Sequence, residues 1–525
     1  MYFYIVFDKP IKNIQIKKAD PAFKADQYYV DFGLKKGETL KVKIALSGVG
    51  IDGAKANMKA ELDGWDFDEV VAKNKAEWNK FLSKAEAKGD KDQLTNFYTS
   101  MYHAFIHPSN ITDVDKKYRG ADNKVYQSKN GDYYSTFSCW DTYRAEHPLF
   151  TIIAPEYVND FVNTMLDHFD AQGHLPIWTL AGKENFCMIG NHSIPIIAEA
   201  ILKGFDGFDA KRALNAMVVT SDKKLPKSDG MLLEKYGYYP FDIYKNESVS
   251  RTVEGCYDDY CVSLVAAKLG DKALSERFAK RSEFYKNLFD PQTKFVRGKD
   301  SKGNWRNPFN PFALSHDSSI GGDYTEGNAW QYSFHVQHEP EALIELFGGK
   351  DKFIERINML FKAEDNGNVG GFVSDVTGLI GQYAHGNEPS HHVIYFYPYA
   401  GQKWRTQELV REVFDKFYLP KPDGLCGNDD CGQMSAWYLF SAMGFYPFNP
   451  ASAEYVLGAP QLPEIVLPLA NGNCFKIVAK NLSKDNKYVK SVKLNGKEHK
   501  GITIKHSDIL AGGVLEFEMS DKPVK

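Results

Sequence analysis

Cysteine is sparse in this 525-residue chain, and both a strong net charge and long apolar runs are lacking. The seven cysteines are scattered and odd in number, which argues against a disulfide framework. Cys426 and Cys431 flank an Asn-Asp-Asp turn, but no second close pair with histidine spacing completes a zinc site. Cys256 and Cys261 fall near one another on a predicted helix and read as structural. A formal charge of -4 gives no field of one sign, so nucleic acid is not an expected partner. No apolar stretch is long enough to span a bilayer, so membrane insertion is not expected. The opening Met1-Tyr2-Phe3-Tyr4-Ile5-Val6-Phe7 lacks the basic head and small-residue cleavage site of a leader, so localisation is not readable here.

Aromatic side chains are plentiful, at 14% of the chain. Such rings build cores, and they also present flat apolar faces with polar edges that suit a sugar ring. The length calls for two or three domains. Residues 2–7, 27–33 and 40–46 alternate like strands, too few for a closed sandwich. Gly48-Val49-Gly50-Ile51-Asp52-Gly53 matches a dinucleotide fingerprint by letter, but no βαβ pattern follows, and it reads as a turn. From Asp66 the period becomes helical. A charged linker helix is followed by segments at 94–105, 156–172, 193–204, 259–269, 272–289, 327–337, 340–347, 351–362, 404–417 and 431–443. Long polar connections at 110–135, 220–250 and 364–390 separate them, as loops lining a pocket would. After Pro450 the period returns to two, with strands at 474–479, 488–494 and 514–519 and a tight Asn495-Gly496 turn. The expected architecture is mainly α. It comprises a partial N-terminal β-sandwich (1–62), a linker helix (63–90), a toroid of helix pairs (91–450) and a small C-terminal β region (451–525).

Four stretches can carry chemistry. In Gly427-Asn428-Asp429-Asp430-Cys431-Gly432-Gln433 a glycine-rich turn delivers two carboxylates to a helix start, where N–H groups and the dipole would hold Asp429 and Asp430 ionised, ready to act as base or simply as caps. In Asp323-Tyr324-Thr325-Glu326-Gly327-Asn328-Ala329-Trp330-Gln331-Tyr332 the Glu326 carboxyl would sit among aromatics that raise its pKa, as a general acid requires. His385-Gly386-Asn387-Glu388-Pro389-Ser390-His391-His392 offers amide and carboxylate oxygens suited to calcium. Zinc on His391 and His392 is the weaker rival, because adjacent histidines rarely aim at one ion. In Thr136-Phe137-Ser138-Cys139-Trp140-Asp141-Thr142-Tyr143-Arg144, Trp140 could stack on a sugar while Asp141 and Arg144 grip hydroxyls, or the charged pair could be structural. The polar run Ser250 to Asp259 reads as a structural ion-pair set. An acid and a base in different environments fit inverting glycoside hydrolysis.

Taken together and in this order, the four stretches resemble glycoside hydrolase family 92, calcium-dependent inverting exo-α-mannosidases, across about residues 40 to 525. The resemblance implies an (α/α)6 catalytic domain behind an N-terminal β-sandwich, and periplasmic or secreted action on mannose-containing glycans. It assigns Glu326 as general acid and Asp430 as general base beside Asp429. It also implies calcium near Asn387 and Glu388, and a substrate site including Trp140, Asp141, Arg144, His385 and Gln331. Two departures matter: the front of the sandwich is missing, and Gly386 and Asn428 stand where α-1,2-cleaving members carry carboxylates. The first admits a non-catalytic, mannose-binding reading. The second disfavours α-1,2 specificity, while the retained Glu326 argues against mannosyl phosphate as substrate.

Overall fold

A computed structural model describes residues 1–20, 24–315, 322–365 and 373–524. It divides into two units: residues 1–78 with 110–133, and residues 79–109 with 134–525. The connection 110–135, expected to line a pocket, thus belongs largely to the first unit. Part of the connection 364–390 lies outside the described residues.

In the first unit, strands Tyr2–Phe7 and Val42–Ser47 pair antiparallel, as do Asn13–Asp20 and Ala25–Asp31. Helix Ile51–Glu61 packs on the first pair. It begins immediately after Gly50, so the glycine-rich stretch is a helix start rather than a free turn. A buried polar node ties the unit together: Asp113 accepts from Ser47 Oγ at 2.6 Å and Asn57 Nδ2 at 2.9 Å. Cross-strand neighbours Ile5 and Ile44 are open to solvent, Ile44 by 55%. The strands therefore present an apolar row without cover among the described residues.

In the second unit, helix Lys91–Ala104 starts from a capping box made by Asp90 and Gln93. Helix Gln433–Met443, buried along its whole length, packs on it and on Glu146–Ile153. Helix Ser248–Lys268 packs on Lys272–Ser282, Ser193–Lys203 and Ala210–Asp222. Several expected helices stand where periodicity put them, notably Pro155–Gln172, Pro340–Phe347 and Lys403–Phe417. Others differ. Only Ala329–Tyr332 of 327–337 is helical, whereas Ser248–Lys268 begins well before the expected 259. Both regions are buried on every side, so neither carries the one-sided apolar stripe that marks a helix in sequence.

The expected linker helix ends at Leu82, and Glu86–Lys88 then joins the C-terminal sheet. That sheet has six strands in the order 497–498, 488–494, 513–520, 474–480, 464–468 and 86–88. Asn495 and Gly496, both at positive φ, make the tight turn between its first two strands. The protein therefore has mixed helical and strand content. No helix among the described residues is long and apolar enough to cross a membrane.

Candidate active site

Segment Ser138–Arg144 enters the second unit as the short helix Cys139–Thr142, fully buried. The Ser138 hydroxyl donates to the Asp141 carboxylate. Trp140 donates its indole N–H to Glu254 at 2.8 Å, and Arg144 Nε donates to the Trp140 carbonyl at 3.0 Å. The Arg144 guanidinium lies 5.0 Å from the Trp140 ring and 4.7 Å from the Tyr143 ring. Glu254 is the hub of this wall, since His192 Nε2 lies 2.9 Å away and Tyr332 Oη donates at 3.0 Å. His192 Nδ1 lies 2.8 Å from Asp258. Burial alone would lower the His192 pKa, but the Asp258 and Glu254 carboxylates outweigh it and push the imidazole up to about 9. The run Ser250 to Asp259 is thus the structural ion-pair set expected from sequence. His192 as its counterion was not anticipated.

Glu326 stands at a left-handed φ of 45°. Asn387 Nδ2 donates to the Glu326 carbonyl at 2.8 Å and to Glu326 Oε2 at 3.3 Å. Burial pushes the Glu326 carboxyl up to about 7. The charges of Asp375, Asp430 and Glu247 push the same way, and the Asn387 bond pulls back. The upward direction agrees with expectation, but neighbouring carboxylates contribute where sequence pointed only to aromatics.

The turn Gly427–Gly432 divides its two carboxylates. Asp429 Oδ1 accepts from Ser435 N at 3.1 Å and Ser435 Oγ at 2.6 Å, so Asp429 serves the helix start. Asp430 does not share that role. Burial first, then the Asp429 and Asp375 charges, push its carboxyl up to about 7, which corrects the expectation that the helix start holds both ionised. Asp430, Cys431 and Gly432 have φ of 49°, 57° and 99° in succession, a strained path of the kind found at functional sites. Behind Gly432 lies Glu146, missed from sequence. Its carboxyl is 1% exposed, and among the described residues neither oxygen has a hydrogen-bond partner. A Cβ on Gly432 would meet the Glu146 carboxyl carbon at 2.7 Å.

Donor oxygens of Asp141, Glu388 and Asp430 all lie within 4.8 Å of one another. Glu388 is fully buried, and among the described residues neither of its oxygens has a hydrogen-bond partner. Burial and then mutual charge raise Glu388 and Asp141 well above the usual carboxylate range. Three crowded carboxylates, one of them orphaned, form a donor set suited to a hard cation. The chain thus brings Asp141, Glu326, Glu388 and Asp430 into one region, Glu326 being felt electrostatically by both Asp141 and Glu388.

Gln331 serves the Asn328 capping box, accepting from Asn328 N at 2.7 Å and donating to the Gln382 carbonyl at 2.9 Å. His385 is enclosed, with Tyr383 Oη and Tyr418 Oη each 2.8 Å from a ring nitrogen. Trp140 is 1% exposed. His391 donates to the His385 carbonyl at 3.0 Å and His392 to the Phe334 carbonyl at 2.8 Å. These separate directions leave no shared zinc ligation.

A family model for the glycosyl hydrolase family 92 catalytic domain matches residues 53–521. The chain is similar to a family 92 alpha-mannosidase of Bacteroides thetaiotaomicron solved with mannoimidazole: 40% identical, covering 100% of this chain and 71% of that one, TM-score 0.94. A family 92 inverting mannosidase of the same species is 32% identical, covering 99% and 73% respectively, TM-score 0.89. An uncharacterised secreted glycosidase of Arthroderma benhamiae is 27% identical over 523 residues, covering 91% of this chain. The chain spans 60% of the length of that curated relative. This protein belongs to glycosyl hydrolase family 92.

Proposed function

We propose that the protein is an exo-acting α-mannosidase that removes terminal mannose from glycans with inversion. The observation that carries this reading is the raised, Asn387-held carboxyl of Glu326 beside the Asp141, Glu388 and Asp430 cluster. In the reaction, Glu326 gives its proton to the glycosidic oxygen as the bond to C1 breaks. Asp430 takes a proton from a water as that water's oxygen bonds to C1 from the opposite face. Asp429 fixes the turn that presents Asp430. The substrate class rests on the two bacterial relatives named as mannosidases.

Glu388 and Asp141, with Asn387 next in sequence to Glu388, would hold calcium and leave the neighbouring Asp430 to act as base. Bound there, the ion would neutralise their charge and offer a partner to sugar hydroxyls. Arg144 packs behind the cluster and favours the ionised form of Asp141 and Glu388. Gly386 carries no carboxylate where α-1,2-cleaving members do, and a Cβ there would lie 2.0 Å from Thr377 Oγ1, so a larger residue would require Thr377 to shift. We therefore assign linkages other than α-1,2. The helix pairs around Ser248–Lys268 and Gln433–Met443 support an (α/α)6 toroid around the site, and the fungal relative's description as secreted supports action outside the cytoplasm.

The test is Glu326→Gln assayed on two mannosides. Turnover of an alkyl mannoside should disappear, while a mannoside with a leaving group that needs no proton should retain measurable turnover. Equal losses on both substrates would remove Glu326 from the acid role.

A further inference from the structure

Helix Pro155–Gln172 carries His168 near its end. The chain turns at Gly173, presents His174, and then runs into the hairpin Thr179–Leu180 with Lys183–Glu184. One donor atom from each of His168, His174 and Glu184 lies within 4.8 Å of the others. His168 is 1% exposed, and among the described residues neither of its ring nitrogens has a hydrogen-bond partner. A buried imidazole with nothing to bond is rare in a folded interior. Its neighbours are arranged as ligands would be. His174 Nδ1 donates to the Leu175 carbonyl at 2.9 Å, which leaves Nε2 carrying the lone pair. Glu184 is oriented by four backbone N–H groups: Ile177 on Oε2 at 2.7 Å, and Trp178, Asn185 and Phe186 on Oε1 at 2.9 to 3.0 Å. Oε2 keeps a lone pair free and lies 3.9 Å from His168 Nε2.

We propose that His168, His174 and Glu184 form a second metal site, separate from the carboxylate cluster, that takes a borderline divalent cation, zinc first. Two imidazoles and one carboxylate select nitrogen-loving ions over calcium. Donors on a tetrahedral zinc stand roughly 3.4 Å apart, so small side-chain rotations close the set. The Lys223 ammonium stands against the cation, though it is already engaged by the carbonyls of Gln172 and Gly173. The role is positional. Thr179 N donates to the Phe137 carbonyl at 3.0 Å and Phe137 N donates to Thr179 Oγ1 at 3.2 Å, just ahead of Asp141. An ion joining the helix end to the hairpin would fix the backbone from which Asp141 is presented.

The experiment uses the untagged full chain, stripped by chelator and resupplied with excess calcium. Zinc bound after gel filtration is counted, and cobalt(II) is titrated for its visible ligand-field bands. One zinc per chain is expected, with cobalt bands that zinc abolishes. His168→Gln and Glu184→Gln should each weaken zinc binding at least tenfold, whereas Glu388→Gln should retain it. Zinc should also raise the melting temperature of the wild type and not of the two variants. Failure of the wild type to retain zinc or show cobalt bands overturns the proposal, even if a variant cannot be purified. So does zinc binding that survives His168→Gln, or that is lost in Glu388→Gln instead. Neither result bears on the acid and base assigned above.

Discussion

Asn387 holds Glu326 at two points, its side-chain amide donating to the backbone carbonyl at 2.8 Å and to carboxyl Oε2 at 3.3 Å. The first bond fixes a residue whose φ is 45°, and the second opposes the forces that raise its pKa. Both reach the acid from the segment that also carries Glu388.

Asn387→Ala should therefore move the pH profile. In the wild type Glu326 stays protonated up to about 7, and activity should fall above that. A hydrogen bond to the charged form lowers a carboxyl pKa, so its loss raises Glu326 further. The alkaline limb of kcat/KM should then shift to higher pH while kcat drops roughly tenfold through looser positioning. A limb that stays put or moves down would disconnect Asn387 from the acid.

Divalent cations should govern both activity and stability. Chelation is expected to abolish turnover, and calcium to restore it. At a free concentration 100 times its Kd, calcium should stabilise the fold by about 2.7 kcal/mol. Glu388→Gln should weaken calcium binding at least tenfold in calorimetry. Turnover indifferent to chelation would reject the ion.

The strained turn gives a third expectation. Gly432→Ala adds a Cβ at a φ of 99° and 2.7 Å from the Glu146 carboxyl carbon. It should cost roughly 1–3 kcal/mol in urea unfolding and, by moving Asp430, lower kcat roughly 10- to 100-fold. A variant with unchanged kcat would mean that the turn does not set the base.

His192 provides a purely structural test. Its pKa rises from 6.5 to about 9 against Asp258 and Glu254. A raised imidazole pKa contributes stability that is fully present below 6.5 and is lost as pH rises through about 9. His192→Gln leaves two buried carboxylates without their counterion and should cost roughly 3–5 kcal/mol at neutral pH. The difference from wild type should shrink in alkali, and a pH-independent difference would contradict the ion pair.

The residues that meet in the site were legible one stretch at a time. Glu326 and Asp430 announced themselves through their neighbours, a glycine turn and an aromatic run. Their convergence with Asp141 and Glu388 was not readable, because contacts between distant segments leave no local period. Asp429 and Asp430 look equivalent in sequence, yet Asp429 accepts from the Ser435 N–H while Asp430, at a left-handed φ of 49°, joins the carboxylate cluster. Ser248–Lys268 lost its first turns in the sequence reading because they bury polar Ser250, Arg251, Thr252 and Glu254 on all sides and show no one-sided apolar stripe. Glu146 gave no signal, since its value lies in what it touches across the fold.

The most direct measurement is proton NMR of the first sugar released from a defined α-1,3-linked mannobiose, followed before mutarotation. With Glu326 and Asp430 acting once each from opposite faces, β-mannose should appear first and the α-anomer only later. Initial release of α-mannose, or no release from any α-mannobiose in the presence of calcium, would contradict the account.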